Sequence, residues 1–172
     1  MSIKEAHVST MTDPRELFLH ELGDVLYAEQ VLVKALPTLA REATDKELKK
    51  SFQDHLEETR QQVENVKRAF DAVGEKAKAE KCPGIEGIKA EHDEFMSGEN
   101  PSPAVCDMFL TGAGARTEHY EIAAYSGLVT MARALGETEA AKLLSENLGQ
   151  EKDALKKLES VSKRLAKAGA PV

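Results

Sequence analysis

Tryptophan is absent from this 172-residue chain, aromatic residues make up only 5% of it, and there are just two cysteines. With Ala, Leu, Glu and Lys dominating instead, the composition favours helices over sheet. Cys82 and Cys106 make neither a disulfide framework nor a Cys-x-x-Cys site, so they read as reduced thiols of a cytoplasmic protein. Basic surplus is missing too. The formal net charge of −7 argues against a nucleic-acid partner, which needs a concentrated basic face. Only the stretch from Lys156 to Lys167 leans basic, as a solvated helix end whose cations suit the dipole. No run approaches the roughly 18 apolar residues that span a bilayer, so no membrane partner is expected. Residues 1–10 hold no apolar core of signal-peptide length. What remains is a chain long enough to bury a sizeable core as one domain over residues 1–172.

Residues 1–11 read as a loose lead-in. Asp13-Pro14-Arg15-Glu16 then supplies an N-cap, a first-turn proline and a capping-box glutamate, predicting a helix to about Ala43 with a kink or break at Pro37. Thr44-Asp45-Lys46-Glu47 is a second capping box, opening a helix that ends near Gly74. Residues 75–102 are the least regular, with one short helix-compatible piece holding Ile85, Ile88 and Phe95. Ser102-Pro103 starts a third long helix ending at Gly136, and Thr138 caps a fourth running to about Lys167, stopped by Gly169 and Pro171. Short first and third links make two antiparallel hairpins, while the long crossover at 75–102 lets the second and third long helices run parallel. One long crossover is the mark of a ferritin-like four-helix bundle; a simple up-down bundle has none. The expected fold is therefore all-α, a ferritin-like bundle whose crossover carries a short helix.

Periodicity places acids where leucines belong. In the first helix the apolar stripe runs Phe18, Leu22, Val25, Leu32, Leu36, Leu39, and Glu29 fills its gap. In the second, His55 lies within Leu48, Phe52, Leu56, Thr59, Val63, Val66, Phe70, with Glu58 one turn along on the flank and Glu57 pointing away. In the third, Glu118 and Glu121 are both central, between Gly114 and Tyr125. The fourth stripe is Leu144, Leu148, Glu151, Leu155, Leu158, Ser162, Leu165, with Glu151 central. At ~1.5 Å of rise per residue, Glu29, His55, Glu121 and Glu151 fall near mid-height of their helices, so one central cluster is geometrically possible. Tyr125 reads as core packing with a satisfied hydroxyl, and His20 and His119 face away. Five carboxylates and one imidazole, with almost no inward-facing base, need a cation or protons. An oxygen-rich set with one nitrogen suits iron or manganese and disfavours a thiolate zinc site.

Tyr27-Ala28-Glu29, His55-Leu56-Glu57-Glu58-Thr59, Glu118-His119-Tyr120-Glu121-Ile122-Ala123 and Glu151-Lys152 resemble the YciE/YciF family of bacterial ferritin-like proteins, with likeness from about Asp13 to Leu165. The resemblance implies a rubrerythrin- or ferritin-like fold, a homodimer and a stress-associated role. It also implies two metal ions held by Glu29, His55, Glu58, Glu118, Glu121 and Glu151. The wider ferritin-like pattern has Glu-x-x-His on two helices, and this chain departs from it. Glu57 is followed at that spacing by Arg60, Glu58 by Gln61 and Glu151 by Ala154, so His55 and Glu58 stand in the reversed order.

The leading functional expectation is a dinuclear iron or manganese protein that handles oxygen or peroxide in stress, its ions bridged by Glu58 and Glu121. The alternative is a non-enzymatic helical stress or interaction protein with an empty or structural site. Iron storage ranks below both, because nothing in one short chain marks a cage-forming surface.

Overall fold

The computed structural model describes residues 10–169, so the lead-in before residue 10 and the stop at Pro171 lie outside the described residues. Helix α1 runs Pro14–Glu42, with the Asp13 carboxylate accepting from the Arg15 N–H and Pro14 in the first turn. It continues through Pro37 without a break. The expected break does not occur, because buried residues on both sides of the proline (Leu36 before it, Ala40 after it) are held in the core and outweigh one lost backbone bond. Helix α2 (Lys46–Ala72) is capped by Asp45, which accepts from the N–H groups of Glu47 and Leu48. That moves the cap one residue past Thr44. Thr44 is engaged elsewhere, its N–H and hydroxyl donating to the Asp107 carboxylate at 2.7 and 2.5 Å. Gly74, at φ +77°, turns the chain out of α2, a conformation in which a Cβ is strained.

The crossover carries α3 (Pro83–Gly98), followed by α4 (Pro103–Ala134) and α5 (Thr138–Gly169). Thr138, expected as the cap of α5, is instead its first helical residue. Residues before α3 lie on α1: the Glu80 N–H donates to the Gly23 carbonyl at 2.9 Å, and a Cβ on Gly23 would meet the Lys78 carbonyl at 2.8 Å. Cys82 caps α3, its sulfur 2.8 Å from the Tyr120 hydroxyl, which in turn donates to Asp24 at 2.9 Å. Both cysteines are buried free thiols, and burial raises the affinity of each for its proton.

Helix α1 packs on α2 and α4, and α5 packs on α2 and α4, giving a four-helix arrangement with α3 laid against α4. The apolar core forms two bodies. Phe18, Leu22, Val66, Phe70 and Leu128 fill one end, and Leu36, Leu48, Phe52, Leu110 and Leu158 fill the other. Removing surface of this kind from water contributes roughly 25 cal/mol per Å². The α5 stripe differs from the expected one. Asn147, Ala154 and Val161 are buried, whereas Leu148, Leu155 and Ser162 sit partly exposed at the flank. Smaller residues at the contact let α5 approach its neighbours, and the leucines cover the seam. No helix among the described residues is long and apolar enough to cross a membrane.

Candidate metal centre

Polar side chains from all four long helices meet between the two apolar bodies. Glu29 of α1 and Glu151 of α5 are fully buried, and Glu118 and Glu121 of α4 are 3% and 1% exposed. His55 of α2 is 6% exposed. One donor atom each from His55, Glu118, Glu121 and Glu151 lies within 4.8 Å of the others, the spacing a single ion requires. His55 Nε2 stands 3.4 Å from Glu118 Oε1 and 3.7 Å from Glu151 Oε2, while its Nδ1 faces Glu58 Oε2 at 3.4 Å. The other two expected ligands stand outside that group. Glu29 accepts a hydrogen bond from the Tyr125 hydroxyl. Glu58 keeps 31% of its side chain exposed, its second oxygen 3.3 Å from Lys157 Nζ.

Buried donors and acceptors are normally paired, and here they are not. Glu29 Oε2, His55 Nε2, Glu118 Oε2, both oxygens of Glu121 and Glu151 Oε2 lack any hydrogen-bond partner. The buried polar residues among those described include no Lys and no Arg. Burial, then the charge of Glu151, pushes the Glu29 carboxyl well above its ordinary range, and the Tyr125 hydroxyl partly opposes this. Burial likewise raises Glu118, reinforced by its contact with Glu151 and by the charges of Glu151, Glu29 and Glu58. Glu121 is raised by burial first and then by Glu151, Glu29 and Glu118. Glu58 alone goes down, through its contact with His55 and then Lys157. Several unpaired oxygens and one free ring nitrogen, mutually repelling in a low dielectric, form the donor set that a hard to borderline divalent cation satisfies. The residues present therefore fit iron or manganese.

Beside the acids lies a second buried polar layer that periodicity did not reveal. Gln62 donates to Glu151, Asn65 donates to Asn147 Oδ1 at 2.8 Å, and Asn147 Nδ2 donates to the Tyr125 hydroxyl at 3.0 Å. Tyr125 is fully buried and completes the line to Glu29, so its hydroxyl is satisfied as expected. The missed signal was spacing. Thr59, Gln62 and Asn65 follow at steps of three on α2, and Asn147 precedes Glu151 by four on α5.

The sequence matches the family described as domain of unknown function (DUF892) over residues 13–170. It is 39% identical to protein YciF of Escherichia coli (strain K12) over 138 residues, 80% of this chain and 82% of that protein. The crystal structure of the E. coli stress protein YciF superimposes with a TM-score of 0.86 at 36% identity, covering 91% of this chain and 99% of the other. YcfI from Rhodopseudomonas palustris gives 0.85 at 37% identity, covering 88% and 96%. A two-domain protein from Anabaena variabilis with a ferritin-like domain gives 0.60 at 16% identity, covering 94% of this chain and 39% of that one, a likeness of fold alone. The ferritin-like architecture expected from link lengths is thus shown.

Proposed function

The chain belongs to the DUF892 family and is a relative of YciF, and from that premise we propose that it is a ferritin-like metal protein acting on a small oxidant, oxygen or peroxide, in stress. His55, Glu118, Glu121 and Glu151 hold the first iron or manganese ion. Glu29 Oε2, with the second oxygen of Glu121, offers donors to another ion alongside. The observation that carries this reading is the set of orphaned donor atoms in a layer without a buried base. The likeness to a protein described as a stress protein supports the setting.

Bound there, iron or manganese would supply Lewis acidity and a change of oxidation state. The chain's own contribution is positioning. Gln62 occupies one oxygen of Glu151 and Tyr125 one oxygen of Glu29, so each carboxylate has one oxygen committed to the protein and one left over. Such outer contacts fix ligand orientation. Glu58 beside Nδ1 of His55 turns Nε2 toward the carboxylates. Phe52 and Leu158, both buried, keep bulk water from the layer.

Elemental analysis of protein purified without chelator, followed by peroxide turnover, tests the reading. We expect up to about two ions per chain, lost together with turnover in Glu29→Ala and Glu121→Ala. The competing reading is an idle bundle whose acids carry protons, which the raised Glu29, Glu118 and Glu121 would permit. Metal-free native protein that is no less stable after both substitutions would establish it.

A further inference from the structure

We propose that Glu58 and Lys157 form the port through which a cation reaches the buried donors, with Glu58 serving in transit instead of as a resident ligand. This rests on the metal reading above and deepens it. Among the cavities of the described residues, a cleft of about 380 Å³ between α1, α3 and α4 touches none of the four clustered residues. A groove beside Pro37 touches none either. The opening whose walls include His55 and Glu118 is a crevice of about 10 Å³ between α2 and α5, bordered by Phe52, Glu58, Lys157 and Leu158. That is room for roughly one water molecule.

Exposure separates Glu58 from the other acids. Its side chain is 31% accessible, whereas those of His55, Glu118 and Glu151 are 7%, 3% and 0%. Its two oxygens face opposite ways, Oε2 inward to His55 at 3.4 Å and Oε1 outward to Lys157 at 3.3 Å. One carboxylate thus spans the boundary between solvent and the buried donors. Lys157, on a flexible stem and 49% exposed, places a positive charge over the same opening. A cation arriving from solvent meets that charge first, displaces it from Glu58, and passes to His55 and Glu118 within the reach of one side chain. Gln62, Asn147 and Tyr125, bonded beside the same layer, are fully buried.

The test uses the full chain stripped of metal, with Co(II) as a visible probe of an oxygen and nitrogen site. Uptake is followed by stopped-flow absorbance and release by chelator challenge. In Glu58→Gln, uptake slows by roughly ten-fold, the lower end of what a charged cleft adds to association. Release slows as well, so Kd moves by less than about five-fold, the scale of an exposed charge pair. In Lys157→Gln, a substitution at an exposed position, both rates rise. Faster release with weaker binding in Glu58→Gln would make Glu58 a resident ligand and overturn the port. Unchanged rates in both variants would place the route elsewhere and overturn it too. Native protein that takes up no Co(II) would remove the metal reading itself, an outcome distinct from either.

Discussion

Two polar layers lie side by side in the middle of this bundle, and they are built on opposite principles. The amide layer of Gln62, Asn65, Asn147 and the Tyr125 hydroxyl is neutral, and its donors find acceptors, with Gln62 Oε1 the one side-chain atom of the layer left without a partner. The acid layer of Glu29, Glu118, Glu121 and Glu151 is crowded with charge, and most of its inward atoms find nothing. Burial is equal in the two, so burial does not distinguish structure from function here. Satisfaction does. A satisfied buried network holds helices in register, while an unsatisfied one costs stability unless something outside the chain completes it.

The widest separation between the layers should come from Glu121→Ala. Both oxygens of Glu121 are free, so its loss should weaken divalent-cation binding by more than the roughly 100-fold upper range seen when an outer partner is removed. Isothermal titration measures this, and binding within a few-fold of native would put Glu121 outside the site. Next in size, Glu118→Leu should stabilise the metal-free protein by about 1–4 kcal/mol, because it removes a repelled buried charge. A loss of stability in urea titration would mean the acids are already balanced without metal. The amide layer should respond in the other direction. Tyr125→Phe leaves Glu29 Oε1 and an Asn147 donor unpaired and should cost about 1–3 kcal/mol with or without metal. A neutral result would show that layer to be as idle as the acids are strained.

The smallest effect is the pH dependence, and its direction is unusual. Glu29, Glu118 and Glu121 titrate above the ordinary 4.5, so the native metal-free chain holds more protons than the unfolded chain above about pH 4.5. The stability due to those protons is present below 4.5 and is lost as pH rises through the raised values. Glu58, held low, acts in the opposite sense below its ordinary value. Urea midpoints of stripped protein should therefore fall as pH rises above about 4.5, and saturating cation should reverse the trend, because ligation displaces protons. A midpoint that rises with pH in the stripped protein would contradict the raised carboxyls.

The helices were legible because their start and stop residues are local: Asp13, Gly74, Ser102 and Gly136 act within a turn of themselves. The acids were legible because a charge in a leucine stripe has no cheap explanation, as with Glu29 between Val25 and Leu32. Gln62, Asn65 and Asn147 stayed hidden, since a neutral amide in a helix is common on a solvated face and only its partner across the bundle shows otherwise. The α5 phase was misread for the same reason, with Leu148 preferred to Asn147 at the core although the amide is the buried one. Glu58 illustrates the remaining gap. Spacing put it beside His55, but its pairing with Lys157 joins residues 99 positions apart.

The central claim is that the orphaned acid layer is completed by a divalent cation, and thermal unfolding of the stripped native chain with and without Mn(II) tests it most directly. At about 100 times Kd, binding to the folded state alone adds ~2.7 kcal/mol, which should raise Tm by about 5–10 °C in a chain of this size. Glu121→Ala should show no such rise. A native Tm indifferent to Mn(II) and to anaerobic Fe(II), in a protein that Glu118→Leu makes more stable, would contradict the claim.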